Sequence, residues 1–204
     1  PQDMMKAMNK AKRFMSDLML DWPDWAVEFA DAVDPANINK FPAARRNISN
    51  PTNNAASDKV RGRSIINMTW RLAPDEALIM EFDDPHAFWE MTNYGVFLNS
   101  MDFLYRPVCY TPSKAKVDED GKIRMVLAHE DPGYHNWIDT QGFSDGNITS
   151  RVFLSPKFIE YRTRVVKHAA LAEALPAYTV KITPEERTKQ MLARFRAYQL
   201  RHAW

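Results

Sequence analysis

Apolar residues recur at Met4, Met8, Ala11, Met15, Leu18 and Trp22 in alternating steps of four and three. That spacing puts them on one face of a helix. Pro23 suits the first turn of a second helix with Asp21 as its N-cap, and Trp25, Phe29, Ala32 and Val33 keep helical spacing up to Pro35. A helical hairpin is the simplest reading of residues 1–36. Its methionine-rich face reads as a core face or a packing face for another subunit, with a plastic binding groove as the alternative. Residues 37–62, including NISNPTNNAASD, follow neither period. They read as a linker or a long surface loop.

From Ile65 the texture changes to short runs of β-branched and aromatic residues broken by turn signals roughly every 8–12 residues, the spacing of all-β domains. The predicted strands are SIINMTWRL, EALIMEF, AFWEMTNY, RPVCYT, KAKVD, KIRMVLAH, NWIDT, NITSRVFL and YRTRVVKH. Asp118-Glu119-Asp120-Gly121 reads as a hairpin turn. After Lys167 comes a short helix, AALAEAL, ended by Pro176. A longer one starts at Thr183, where Pro184 and Glu186 complete a proline-N1 start and a capping box. Its apolar stripe is Met191, Leu192, Phe195 and Tyr198. Arg187, Lys189, Arg194, Arg196 and Arg201 make the rest basic, which complements the helix dipole or, alternatively, forms an anion-binding patch. The expected fold is α+β, mainly β. It consists of an antiparallel β-sandwich or jelly-roll-like body over residues 63–204, with an N-terminal helical hairpin and a C-terminal helix.

Composition narrows the function classes. In 204 residues, 27 Lys plus Arg stand against 26 Asp plus Glu, so no charge excess points to nucleic acid or an anionic membrane. No apolar run approaches the roughly 18 residues of a membrane span. Cys109 is the one cysteine, which excludes an internal disulfide and suits the cytoplasm; the start on Pro1 points to a processed or truncated product and leaves the periplasm open. Dinucleotide, P-loop, nucleophile-elbow and kinase motifs are all missing.

Two segments concentrate chemistry. Residues 128–147 hold His129, His135, Glu130, Asp131, Asp139, Asp145, Trp137 and three of the six glycines. His129 with Asp131 or Asp139 is the candidate acid–base pair. A turn network satisfied by Asp and Asn side chains is the competing reading. His129, His135, Asp131 and Asp139 are also possible metal ligands, but neither an HExxH helix nor a calcium loop is present, so no metal or other cofactor is expected. Residues 88–103 offer an aromatic-walled pocket with Trp89, Asn93, Tyr94, Asn99 and Asp102. Asp102, between Met101 and Phe103, reads as a buried carboxylate needing Arg106 or Arg151 as partner.

The stretch from Arg63 to about Leu154 resembles the domain-of-unknown-function family 1214, which is associated with domain family 1254. The resemblance rests on APDEALIMEF, FWEMTNYGVFLNSMDF and VDEDGKIRMVLAHEDPGYHNWIDTQG, followed by Gly146 and Arg151. It implies a β-sandwich or jelly-roll-like domain with flanking helices, and it carries no family-wide reaction. Trp89, Asp102, Asp131, Asn136, Trp137, Asp139, Thr140 and Arg151 match as motif positions only. The sequence departs from the family pattern at His135 and at Thr111 to Lys114. The candidate ligand-binding set is thus Trp89, Asn93, Tyr94, Asp102, Asn136, Trp137, Thr140 and Arg151. The candidate catalytic set is His129, Asp131 and Asp139. The expected partner is a small molecule or glycan, with a homo-oligomer or the remainder of a longer chain as further partners. A metal-free hydrolase, lyase or isomerase and a structural subunit are the rival functions.

Overall fold

The computed structural model describes residues 2–31, 33–42, 64–155 and 159–202; most of the expected linker, residues 43–62, lies outside them. Helix α1 (Gln2–Ser16), a π turn (Asp17–Asp21) and helix α2 (Trp22–Asp31) follow one another without a loop, so the expected hairpin does not form. Pro23 has no N–H, and its ring conflicts with the carbonyl four residues back in an α-helix. A widened turn, in which the Trp22 N–H donates to the Asp17 carbonyl, carries the chain past it. The methionine face is not a core face either: α1 has no buried residue and Met4 is 70% exposed. The Trp22 indole N–H donates to the Phe97 carbonyl at 2.7 Å.

The strands are β1 (Ser64–Arg71), β2 (Glu76–Asp83), β3 (Phe88–Tyr94), β4 (Cys109–Tyr110), β5 (Lys122–Ala128), β6 (Trp137–Asp139), β7 (Asp145–Phe153) and β8 (Arg162–Lys167). They form two sheets, ordered β1-β7-β3-β4 and β6-β5-β2-β8. Every pairing is antiparallel except β5 with β6. Alternate residues of both sheets share one core, among them Met68 and Trp70 of β1, Met80 and Phe82 of β2, Met91 of β3, Met125 of β5 and Ile148 of β7. Gly146 is required there, because a Cβ would lie 2.6 Å from the Tyr94 carbonyl and 2.9 Å from the Trp70 ring.

The second sheet is covered on its outer face as well. Ala77, Ile79, Val126 and Ala128 pack against Tyr134, Trp137, Leu171 and Leu175, the last two from helix α3 (Leu171–Ala174) and its end. Burial on both faces explains why β2 and β5 read as nearly continuous apolar runs rather than alternating ones.

Four expectations change. Among the described residues helix and strand contribute about equally, so the fold is α+β without being mainly β. The segment KAKVD is not a strand. The turn after it exists, with Gly121 at φ +76°, but joins coil to β5. The expected linker begins on the body: Asn39, at φ +62°, donates its N–H to the Thr69 carbonyl (2.9 Å), and its side-chain amide both donates to the Arg71 carbonyl (2.8 Å) and accepts the Arg71 N–H (2.9 Å).

Helix α4 (Pro184–His202) starts on the expected capping box: the Thr183 N–H donates to the Glu186 carboxylate at 2.9 Å, and the Glu186 N–H to the Thr183 hydroxyl at 3.2 Å. Its inner face departs from the expected apolar stripe. Leu192 is 44% exposed, whereas Arg187 and Arg194 are buried. Tyr105 stacks on Phe195 and Phe103 meets Tyr198, holding the helix across the 101–105 loop.

Candidate functional site

Within residues 128–147 the expected acid–base pair is not assembled. The His129 ring contacts the Thr140 hydroxyl through Nδ1 (2.8 Å) and the Ala73 carbonyl through Nε2 (3.1 Å). A carbonyl only accepts, so Nε2 carries a proton and donates to Ala73. Asp131 instead receives two N–H groups of Arg187, at 2.8 and 3.1 Å, and the Gly133 N–H at 2.9 Å. Asp139, almost fully buried, accepts from Arg106 Nε at 2.6 Å and from the Gln141 N–H at 2.7 Å. This ion pair raises the Arg106 pKa further. Both carboxylates are therefore spent on arginines and turn N–H groups.

The flanking residues are also committed. Asn136 ties the coil at Lys116 to strand β5: it accepts the Lys116 N–H (2.8 Å) and donates to the carbonyls of Lys116 (2.7 Å) and Arg124 (3.0 Å). The Trp137 indole N–H donates to the Ala128 carbonyl at 3.1 Å, with the Arg187 guanidinium over its ring at 5.2 Å. Thr140 is fully buried.

The 88–103 set converges only in part. Trp89 is core, edge-on to Phe82 at 5.2 Å. Asn93 is buried, accepting from the Trp70 indole (2.8 Å) and donating to the Asp139 carbonyl (3.2 Å). Arg151 pairs with Glu90 and with Tyr94, on the far side of β3 from Asn93. Asp102 is exposed, contrary to the expectation of a buried carboxylate, and caps the N–H groups of Leu104 (3.0 Å) and Tyr105 (3.1 Å). Arg106 goes to Asp139 rather than to Asp102.

Open space lies elsewhere. A cavity of about 570 Å³ is bounded by the 113–116 loop, His135, the 180–182 segment and helix α4. A second, of about 280 Å³, runs between β3, β4, the 100–103 loop and the end of α4. Lys114 and Arg194 wall both, so the two adjoin. Of the residues predicted as a site, Asn93 and Tyr94 line the smaller cavity. The larger one receives His135 together with Ser113 and Lys114. His129 borders a separate cavity of about 300 Å³ with Asp75, Glu130 and Lys167.

The adjoining cavities are cationic. Lys114, Lys116, Lys181, Lys189, Arg194 and Arg201 line them against a single carboxylate, Glu186, which already serves the capping box. Burial, and then the Arg194 charge, push the Lys114 pKa down. Burial also lowers that of His135, opposed by its hydrogen bond to Asn136 and reinforced by Lys116, Arg187 and Arg194. Cys109 is half-buried on the smaller cavity and accepts from the Thr92 hydroxyl at 3.3 Å. Lys114, Gln190 and Arg194 were not in the predicted site. The available signal was the seven-residue spacing of Arg187 and Arg194, which puts two arginines on one helix face.

Among the described residues, no group of three or more His, Cys, Asp or Glu is gathered as a metal site would require, and no helix is long and apolar enough to cross a membrane.

Among solved structures, the chain is similar to an uncharacterised protein from Burkholderia cenocepacia, with a TM-score of 0.58 and 28% identity over 73% of this chain. The match spans only 39% of that protein's length. A protein from Vibrio parahaemolyticus matches at a TM-score of 0.41 and 19% identity, over 52% of this chain and 31% of that one. No family model and no curated protein matches the sequence.

Proposed function

We propose that this chain is a small-molecule-binding domain whose ligand lies in the adjoining cavities beneath helix α4. The supporting observation is their shared wall of Lys114 and Arg194, which joins spaces of about 570 and 280 Å³ in the size range of ligand pockets. The ligand thus sits beside β4 and α4, not in the Trp89–Trp137 set that the sequence pointed to. Asn93 and Tyr94 are the two members of that set retained in the reading.

The test uses two exposed alanines that line the cavities without entering the core, Ala193 on the larger and Ala197 on the smaller. A metabolite library is screened by thermal shift against the parent chain, A193W and A197W, with circular dichroism as the folding check. Hits that stabilise the parent and fail on at least one folded tryptophan variant are expected. Absence of any hit, or hits indifferent to both variants, overturns the reading.

A further inference from the structure

Helix α4 turns two arginines inward, seven residues apart, and treats them alike in two respects. Arg187 lies over the Trp137 ring at 5.2 Å and Arg194 over the Tyr110 ring at 4.5 Å. Each sends Nη1 to a backbone carbonyl: Arg187 to that of His135 at 3.2 Å, Arg194 to that of Cys109 at 2.7 Å. They differ in the remaining edge of the guanidinium. The Nε–H and one Nη2–H point the same way, forming the fork that fits two oxygens of a carboxylate or phosphate. Arg187 fills that fork with the two oxygens of Asp131. In Arg194, whose exposure is only 9%, Nε and Nη2 have no hydrogen-bond partner among the described residues.

An unpaired guanidinium fork in a buried position is costly, and the stacked Tyr110 ring compensates only in part. Lys114 adds a second positive charge, and the lining carboxylate, Glu186, is engaged at the helix start. We propose that the ligand of the cleft is a small molecule carrying a carboxylate or phosphate, held on the Nε–Nη2 fork of Arg194 with Lys114 as the second cation. This rests on the reading of the cleft as a small-molecule site and adds the chemical class. Both nitrogens are screened from water, so the anion reaches them by displacing part of the wall. Lys114, a flexible chain bordering both cavities, is the part that shifts.

The test is a titration of the parent chain with inorganic phosphate and, separately, with succinate, at constant ionic strength in sodium chloride, reading the Arg194 side-chain Nε–Hε resonance by NMR. Saturable movement with at least one anion is expected. Phosphate alone assigns a phosphate ligand, succinate alone a carboxylate one. R194K keeps the charge without the fork and should weaken the effective anion about tenfold or more. K114Q, at an exposed position, should weaken it severalfold and guards against a folding defect in the Arg194 variant. Non-saturable shifts that chloride reproduces, or affinity unchanged in R194K and K114Q, overturn the proposal. If neutral metabolites bind and A193W or A197W blocks them while neither anion moves the resonance, the anion class fails and the small-molecule site stands. If nothing binds there, both fail.

Discussion

The 128–147 segment and the cleft under α4 are neighbours with opposite polar economies. In the first, the chemistry-bearing side chains are matched: His129 by Thr140 and Ala73, Asp131 by Arg187, Asp139 by Arg106, Asn136 by three backbone groups. In the second, Arg194 and its surrounding lysines face one lining carboxylate among the described residues, Glu186, which is held in the helix cap. Buried polar groups must be satisfied for the chain to fold, so a dense polar motif is often the means of building sharp turns between strands. A polar group left unmatched inside a concavity is the more informative signal of a ligand.

The contrast can be broken most severely at Arg187. R187M leaves Asp131 with only the Gly133 N–H and removes the guanidinium donor to the Tyr134 carbonyl, while the His135 carbonyl keeps the Tyr110 hydroxyl and the Gln190 amide. Because Asp131 is partly exposed, a loss of about 2–4 kcal/mol is expected in urea unfolding. R194M, seven residues on, leaves no carboxylate behind and is expected to stay within about 1 kcal/mol of the parent while abolishing anion binding. Equal losses in the two variants would erase the distinction. N136A should cost about 2 kcal/mol in the same assay, since it orphans three backbone groups at once. H129Q, which loses a two-sided imidazole bridge, should cost about 1 kcal/mol and leave cleft binding unchanged.

The smallest effect is a proton. Burial holds the His135 pKa below its ordinary 6.5. The unfolded chain therefore binds a proton first as pH falls, and this group's contribution to stability, complete above 6.5, declines as pH drops below it. Lys116, Arg187 and Arg194 face this imidazole along with the capping-box carboxylate Glu186, and Asn136 and Gln190 hydrogen-bond it. An anion in the cleft opposes those charges and raises the His135 pKa. Calorimetry near pH 6 in buffers of different ionisation enthalpy should show proton uptake on binding, and an H135N variant should lose it.

Much of the fold was legible because its causes are local. The Thr183–Glu186 capping box is a matter of three residues, and β1, β2, β3, β5 and β7 carry enough β-branched and aromatic side chains to declare themselves. The hairpin at Pro23 failed because a π turn offers a second way past a proline. Asp102 misled because apolar neighbours imply burial only in a regular element, and residues 101–105 form a turn. The arginines of α4 were visible as a basic stripe. What decides between a dipole complement and a ligand site is the ring and carbonyl beneath Arg194, and Cys109 lies 85 residues away in the chain. Periodicity carries no information over that distance.

Asn39 has a consequence for how this chain meets others. The outer edge of β1 offers backbone donors and acceptors to any extended strand that approaches, the usual beginning of sheet-to-sheet association. One asparagine, through its own N–H and both ends of its amide, occupies the groups at Thr69 and Arg71 as a neighbouring strand would. It acts as a one-residue counterfeit strand, and removing its amide would open part of that edge to pairing between chains.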